Sequence, residues 1–141
     1  MVNQMINIGR LIKRADVSLS RQMNDFARQS GLTGNKMNTI DYLSRQENMA
    51  ANQQAIENEF NIRRSTTTII LQRMEKRQLV QRIVDPHDRR QRQVQLTSSA
   101  QQLVPTVHAY IDSQEKRLTA AFSPAELATA ARVLRYLEED N

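Results

Sequence analysis

Hydrophobic residues near the N-terminus recur at steps of three or four, with polar residues between them. This spacing matches the 3.6-residue period of an α-helix, so the apolar side chains share one face. The positions are Met5, Ile8, Ile12, Ala15, Leu19, Met23 and Phe26. Gly31 is predicted to end this long helix, and Thr33 can cap the next one. The apolar face belongs either to the core of the chain or to a contact with a second subunit, and its pattern alone fits both.

The middle of the chain predicts a short helix, a tight turn and a basic helix. The first helix spans Asn52 to Phe60, with Asn52 as its N-cap, and the second begins near Arg63. The buried side of the second helix is predicted to contain Ile70, Leu71 and Met74. This order is that of the helix-turn-helix, whose second helix enters the major groove of DNA.

After Leu79 the periodicity changes from helical to alternating. Residues 80–84 and 93–96 alternate between apolar and polar positions, which is typical of half-buried strands. Between them lies the segment Asp85-Pro86-His87-Asp88-Arg89-Arg90, whose Asp-Pro start favours a turn. The pattern predicts a β-hairpin with a basic tip, which we call the wing.

Two further helices are predicted towards the C-terminus. Thr97 can cap the first, which contains Pro105, and the missing N–H of that proline is expected to kink it. The last begins with Ser123-Pro124-Ala125-Glu126, a capping box with proline at the first helical position. Its apolar residues form a narrow seam of Leu127, Ala131, Leu134 and Leu137.

Basic residues are concentrated in one segment rather than spread over the chain. Residues 61–92 carry nine Lys or Arg and three acids, a net charge of +6, whereas the rest carries eleven Lys or Arg and twelve acids, a net charge of −1. A localised basic segment is typical of a protein that binds a polyanion. Because this segment coincides with the predicted helix-turn-helix and wing, double-stranded DNA is the expected partner.

Amphipathic helices at both ends of this 141-residue chain suggest how two subunits associate. Two terminal seams fit an intertwined two-fold dimer better than a compact monomer. The predicted fold is mainly α with a small β-hairpin wing, a winged helix-turn-helix that forms an intertwined dimer through its N- and C-terminal helices. We expect one domain over 1–141, with dimerisation helices at about 1–30 and 98–141 and a DNA-binding region at about 33–97. The predicted dimerisation residues are Met5, Ile8, Ile12, Leu127, Leu134 and Leu137.

The second helix of the motif supplies most of the candidate DNA contacts. The hydroxyl groups of Ser65, Thr66 and Thr68 can reach phosphates or bases. For Thr66 and for the neighbouring Thr67, packing or capping is the alternative role. Ile69 is predicted to be exposed, where it can contact a thymine methyl. With the wing, the predicted DNA-binding residues are Arg63, Arg64, Ser65, Thr66, Thr68, Ile69, Arg73, Asp88, Arg89, Arg90 and Arg92.

Two arginines at the tip of the wing suit a narrow groove. Arg89 and Arg90 can enter a minor groove, where negative potential attracts guanidinium groups. Asp88, two residues before Arg90, can orient that arginine through a bidentate pair. The alternative is a solvated, charged turn with no role in binding.

Composition argues against other kinds of site. The chain has no Cys, which excludes disulfides, thiolate zinc sites and cysteine chemistry. It has two His, three Gly and no phosphate loop or spaced ligand set, so no enzyme, metal or cofactor is expected. The first six residues lack the layout of a signal peptide, and no apolar stretch approaches the roughly 18 residues of a membrane span. A soluble, cytoplasmic protein is expected.

Several motifs resemble the MarR/SlyA family of bacterial regulators. The most specific is the wing sequence Asp-Pro-x-Asp-Arg-Arg, followed by an alternating strand that ends in Leu-Thr. The resemblance extends over most of the chain and includes Leu32-Thr33, Asn61-Ile62-Arg63-Arg64-Ser65-Thr66, Arg73-Met74-Glu75-Lys76-Arg77-Gln78-Leu79-Val80, residues 85–90 and Val94-Gln95-Leu96-Thr97.

The resemblance implies a DNA-binding transcription regulator, more specifically a repressor. It would bind a pseudo-palindromic operator as a homodimer, with recognition helices in successive major grooves and wings in flanking minor grooves. It also implies release from DNA by a small aromatic effector, since thiol oxidation needs the missing cysteine. The chain departs from the family pattern at Ile69, where a basic residue is usual, and at Glu57, Gln78 and Ala100. The alternative is a helical dimeric interaction protein that binds nucleic acid without sequence preference.

Overall fold

The computed structural model describes residues 5–139. In chain order its elements are α1 (Ile8–Ala27), α2 (Gly34–Ser44), β1 (Ala50–Ala51), α3 (Gln53–Phe60), α4 (Arg64–Lys76), β2 (Val80–Val84), β3 (Arg92–Leu96), α5 (Ser98–Gln101), α6 (Val104–Ala121) and α7 (Pro124–Glu139). Short 3₁₀ turns at Arg28–Ser30 and Glu47–Met49 follow α1 and α2. The prediction of a mainly helical chain with a small β-hairpin is confirmed.

The chain divides into two compact units, one up to Val104 and the other from Pro105 onward. The predicted boundaries between dimerisation and DNA-binding regions stay a prediction. Residues 1–4 and 140–141 of the predicted dimerisation segments lie outside the described residues.

The first helix differs from its prediction at both ends. The apolar stripe starts at Met5, but α1 begins only at Ile8, where the side chain of Asn7 accepts a backbone N–H of the first turn at 2.9 Å. The α-helix ends at Ala27, and a 3₁₀ turn leads to Gly31 at φ 69°. Glycine adopts this left-handed conformation without steric cost, so it closes the helical segment one turn after the α-helix itself.

Capping oxygens begin three other helices as the sequence predicts. Thr33, Asn52 and Thr97 each accept the backbone N–H of the residue three positions further on, at 3.4, 2.8 and 3.2 Å. Such a cap is typically worth about 1 kcal/mol relative to alanine. Local chemistry therefore fixes where α2, α3 and α5 start.

The core of the first unit fixes the orientation of α4. Its largest fully buried apolar side chains come from α2, α3, α4 and the sheet: Met37, Ile40, Leu43, Ile56, Leu71, Met74, Val94 and Leu96. Fully burying one such side chain contributes roughly 1.5–3 kcal/mol. Because Leu71 and Met74 point into this core, the opposite face of α4 remains at the surface.

A three-stranded antiparallel sheet carries the wing, in the order β1-β3-β2. Val80 lies opposite Leu96 and Val84 opposite Arg92, so the hairpin strands pair along their whole length. The short strand β1, which was not predicted, pairs Ala50 with Gln95. Two residues are too few to show a period-two pattern, and β1 exists only through its pairing with β3.

The second unit contains most of α6 and all of α7. The predicted kink at Pro105 is wrong: α5 ends at Gln101 and a new helix begins at Val104, with Pro105 in its first turn. The missing N–H costs nothing at that position, because first-turn N–H groups have no intrahelical acceptor. The capping box of α7 is confirmed, since Ser123 N–H donates to Glu126 Oε1 at 3.0 Å and Glu126 N–H donates to Ser123 Oγ at 3.1 Å.

Candidate nucleic-acid interface

Three residues form the turn of the helix-turn-helix. Asn61 has φ 51° and ψ 48°, and its N–H donates to the carbonyl of Glu57 to close α3. Asparagine tolerates this left-handed conformation better than most residues. Arg63 then returns to extended backbone and serves as the N-cap of α4 without a side-chain capping bond. The start of α4 therefore has backbone N–H groups that no capping side chain occupies.

The outward face of α4 carries most of the predicted recognition residues. Ser65, Thr66 and Arg73 are exposed, and Ile69 is 47% exposed, as the sequence predicts. Thr67 differs, because it is only 1% exposed and its hydroxyl donates to the carbonyl of Arg63 at 3.0 Å. The packing role considered for Thr67 is therefore confirmed, whereas Thr66 faces outward.

Thr68 lies at the edge of the exposed face. It is half-buried, and its Oγ1 accepts a hydrogen bond from Nε2 of Gln53 at 2.8 Å. Gln53 is the first residue of α3, so this bond joins the two helices of the motif. Sequence reasoning missed Gln53, since nothing local links residues 15 positions apart.

Asp85 organises the turn of the wing. It is 8% exposed, and its Oδ1 accepts the backbone N–H groups of His87 at 2.7 Å and Asp88 at 3.3 Å. A side-chain oxygen that accepts bonds from the backbone two and three residues on holds a turn in place of a backbone carbonyl. His87 Nε2 also lies 3.7 Å from Glu47 Oε2, in the loop after α2. The wing turn is therefore held by Asp85, and His87 connects it to the segment after α2.

Asp88 holds Arg90, but not through the predicted two-oxygen fork. A single oxygen, Oδ1 of Asp88, accepts both the backbone N–H of Arg90 at 3.1 Å and its Nε at 3.2 Å. The Arg90 side chain is 90% exposed and that of Asp88 is 35% exposed. Because the bond uses Nε, the terminal amino groups of the guanidinium are left at the solvent-facing end of the side chain.

A polar cleft of about 450 Å³ separates the two candidate binding elements. Its walls come from the start of α3, the start of α4 and the wing: Asn52, Gln53, Gln54, Glu57, Arg64, Gln91 and Arg92. Arg64 and Arg92 were predicted to bind DNA, and Glu57 places a carboxylate beside them. The cleft is therefore positively charged but contains one acid.

Basic side chains also meet where α2 approaches the end of α4. The pKa of Lys36 is lowered by partial burial and then by the nearby cations Arg77 and Arg73. A guanidinium nitrogen of Arg77 donates to the carbonyl of Gly31. The sequence did not associate Lys36 with the basic segment, because it lies well before it in the chain. Tertiary packing therefore extends the basic surface beyond residues 61–92.

The predicted dimerisation residues lie at the surface of their own units. Met5, Ile8, Leu134 and Leu137 are exposed, and Ile12 and Leu127 are half-exposed. In the second unit, an apolar cleft of about 680 Å³ between the end of α6 and α7 includes Leu118, Phe122 and Leu127. Large apolar surfaces of this kind mark interaction sites in soluble proteins.

Within residues 5–139, no group of three or more His, Cys, Asp or Glu side chains is placed to hold a metal ion. Among these residues, none of the helices combines the length and the apolar composition of a membrane span.

Together, the exposed face of α4 and the paired strands with a basic tip define a winged helix-turn-helix protein. The chain matches the MarR family over residues 30–91. It is 36% identical to the transcription regulator MarR from Oenococcus oeni PSU-1, over 95% of this chain and 100% of that one, with a TM-score of 0.89. The chain therefore belongs to the MarR family and is a DNA-binding transcription regulator, not an enzyme.

More distant structures share the fold. The S. aureus MepR–DNA complex is 21% identical over 97% of this chain and 100% of that one, with a TM-score of 0.83. Bordetella bronchiseptica BpsR, whose DNA binding is regulated by 6-hydroxynicotinic acid, is 21% identical over 100% of this chain and 99% of that one, with a TM-score of 0.77. No curated protein matches the chain.

Proposed function

We propose that this chain represses transcription by binding a pseudo-palindromic operator as a homodimer in the cytoplasm. The proposal rests on the exposed polar face of α4 and on the wing, whose Arg90 side chain is 90% exposed. In a two-fold dimer, two such surfaces would meet successive major grooves about 34–36 Å apart, with the wings in the flanking minor grooves.

The contacts divide by chemistry. Ser65, Thr66, Thr68, Ile69 and Arg73 would read or contact the major groove. Hydroxyl groups and arginine serve both phosphates and base edges, whereas Ile69 can only recognise an apolar group such as a thymine methyl. The isoleucine therefore favours an operator with thymine beneath it.

The remaining cations would position the protein on the phosphate backbone and in the minor groove. Arg63 and Arg64 lie at the start of α4, and Arg92 is the first residue of β3 in the wing. Arg89 and Arg90 at the wing tip would enter the minor groove, with Asp88 orienting Arg90. The MepR structure, in complex with DNA, supports the same partner for this fold.

Homodimerisation is proposed from the uncovered apolar surfaces of both units. Ile8, Leu11 and Leu19 on α1 are 47–57% exposed, and Leu134 and Leu137 on α7 are 47–48% exposed. Covering such side chains on association contributes roughly 25 cal/mol for each Å² of apolar area removed from water. Three of these exposed residues, Ile8, Leu134 and Leu137, are among the predicted dimerisation residues, which also include Met5, Ile12 and Leu127.

We also propose that a small aromatic effector releases the protein from DNA. BpsR, a relative of the same fold, is regulated by 6-hydroxynicotinic acid, a small aromatic compound. The absence of cysteine from the chain removes thiol oxidation as an alternative signal. Addition of 6-hydroxynicotinic acid and related aromatic acids to a preformed complex tests this, and dissociation is the expected result.

Selection of binding sites from random duplex DNA tests the proposed function. The purified protein is used at physiological salt with nonspecific competitor, because salt controls the background affinity. An enriched inverted repeat is expected. Enrichment of no motif by folded protein would contradict the proposal and favour the interaction protein without sequence preference.

A matched pair of variants tests whether the selected motif depends on the exposed face of α4. Thr66→Asp places a negative charge on the exposed face of α4, whereas Ser99→Asp places the same charge at an exposed position of α5. We expect Thr66→Asp to abolish enrichment and Ser99→Asp to retain it. Equal loss in both variants would show that net charge, and not the α4 surface, explains the result.

A further inference from the structure

Gln53 connects the first helix of the motif to the recognition helix. Its Nε2 donates to Oγ1 of Thr68 at 2.8 Å, and both side chains are half-buried. The preceding residue, Asn52, accepts the N–H of Ala55 at 2.8 Å and fixes the start of α3. The amide of Gln53 therefore extends from the capped first turn of α3, where it also lines the polar cleft.

The bond changes what the hydroxyl of Thr68 can offer. A threonine hydroxyl has one hydrogen to donate and two lone pairs to accept with, and it normally rotates to suit its partners. When the Gln53 amide occupies one lone pair, the hydroxyl hydrogen points away from Gln53. Thr68 is thereby biased towards donating to a different partner.

The neighbouring Thr67 shows the other hydrogen bond that a threonine hydroxyl in a helix can donate. The hydroxyl of Thr67 donates to the carbonyl of Arg63, four residues earlier in the chain. Ser and Thr residues inside helices commonly donate their hydroxyl hydrogen to a backbone carbonyl of the preceding turn in this way. In the described structure Thr68 makes no such bond, so its donor remains for a ligand.

In the proposed operator complex, the group that meets this side of α4 would be the edge of a base pair. Ser65 and Gln72 lie three and four residues from Thr68 and are exposed, so the surface around Thr68 faces outward. In the major groove, guanine, adenine and thymine present acceptor atoms, whereas cytosine presents an amino donor. A fixed donor therefore distinguishes among bases.

We propose that Gln53 is a positioning residue for base specificity: its amide fixes Thr68 as a hydrogen-bond donor, which selects an acceptor edge at one base position of each half-site. The inference rests on the proposed binding of an operator. Gln53 acts through Thr68, and its own contact with DNA is not required.

Two substitutions of Gln53 perturb the bond in different ways. Gln53→Glu supplies a carboxylate that only accepts, so Thr68 must donate to it and loses its donor for the base. Gln53→Leu removes the bond and lets the hydroxyl rotate. The matched control is Gln54→Glu, which adds the same charge to the same cleft from an exposed residue that makes no bond with Thr68.

The measurement is affinity for operators that vary one base pair at a time, starting from the site that wild-type protein selects. We expect Gln53→Glu and Gln53→Leu to reduce discrimination at one base position per half-site by about fivefold, the typical worth of one hydrogen bond. Other positions keep their preferences. Gln54→Glu weakens binding to all sequences alike, because added charge acts on phosphates.

Thr68→Val identifies the base position and completes the test. It should reduce discrimination at the same position, and adding Gln53→Leu to Thr68→Val should reduce it no further. A wild-type protein without sequence preference would overturn the proposed function and this inference together. A wild-type preference that Gln53→Glu and Gln53→Leu leave unchanged at every position would overturn the inference alone.

Discussion

Replacing Arg90 by alanine separates the contribution of the wing to DNA binding from any contribution to folding. The Arg90 side chain is 90% exposed, and its ion pair with Asp88 is at the surface. Exposed ion pairs contribute about 0–1 kcal/mol, and surface substitutions usually change stability by about 0.5 kcal/mol or less. The free energy of unfolding should therefore remain essentially unchanged.

DNA affinity should change much more. A bidentate contact between arginine and a base contributes about 1–3 kcal/mol, and we take the same range for an arginine inserted into the minor groove. A homodimer with the substitution in both subunits loses two such contacts, or about 2–6 kcal/mol if they act independently. The lower end of this range corresponds to roughly a 30-fold weaker complex. The carboxylate of Asp88, no longer paired with Arg90, adds repulsion from nearby phosphates.

The assay is a titration of the selected operator at several salt concentrations, with unfolding measured in parallel. Arg117→Ala is the control, because it removes the same charge from α6, outside the basic segment. Arg90→Lys keeps the charge but loses the planar guanidinium, so an intermediate affinity is expected. Arg90→Ala affinity within about twofold of wild type at physiological salt would refute the role of the wing, since a lost groove contact costs more than that.

Three further predictions concern assembly, the core and a helix cap. Leu134→Asp places a charge in the proposed dimer seam and should yield monomeric or unfolded protein; a stable dimer by light scattering would disprove that seam. Leu71→Ala should destabilise the fold by about 2–5 kcal/mol in denaturant titrations, because Leu71 is fully buried; exposed Ile69→Ala should cost far less, and equal costs would contradict the packing. The pKa of Glu126 is lowered from 4.5 by hydrogen bonds from the backbone and side chain of Ser123, so its stabilising contribution is present above pH 4.5 and is lost as pH falls through the lowered pKa. Carboxyl NMR titration checks this, and a value at or above 4.5 would exclude the capping contribution.

Local features of the fold could be read from the sequence because their causes are local. Thr33, Asn52 and Thr97 cap helices through bonds that span three residues, and the alternation at 80–84 and 93–96 follows the two-residue period of a strand. The pairing of Asp88 with Arg90 spans two residues, so its existence was predicted although its geometry was not. Such features depend on the chain near each residue.

Other features of the candidate site depend on packing between distant segments. The approach of Lys36 to Arg73 and Arg77 requires α2 to lie beside the end of α4. The bond from Gln53 to Thr68 requires a particular angle between α3 and α4. No periodicity or motif reports these distances, because the intervening turn and the shared core set them.

The helices, the hairpin and the basic segment follow from residue patterns along the chain, and so does the resemblance to a family of regulators. The strand β1, the burial of Thr67 and the partner of Thr68 could be learned only from the tertiary structure. The difference lies in how far apart along the chain the interacting residues are. Capping, turn chemistry and amphipathic periodicity act within a few residues, whereas strand pairing and side-chain contacts between helices exist only after the core has brought remote residues together.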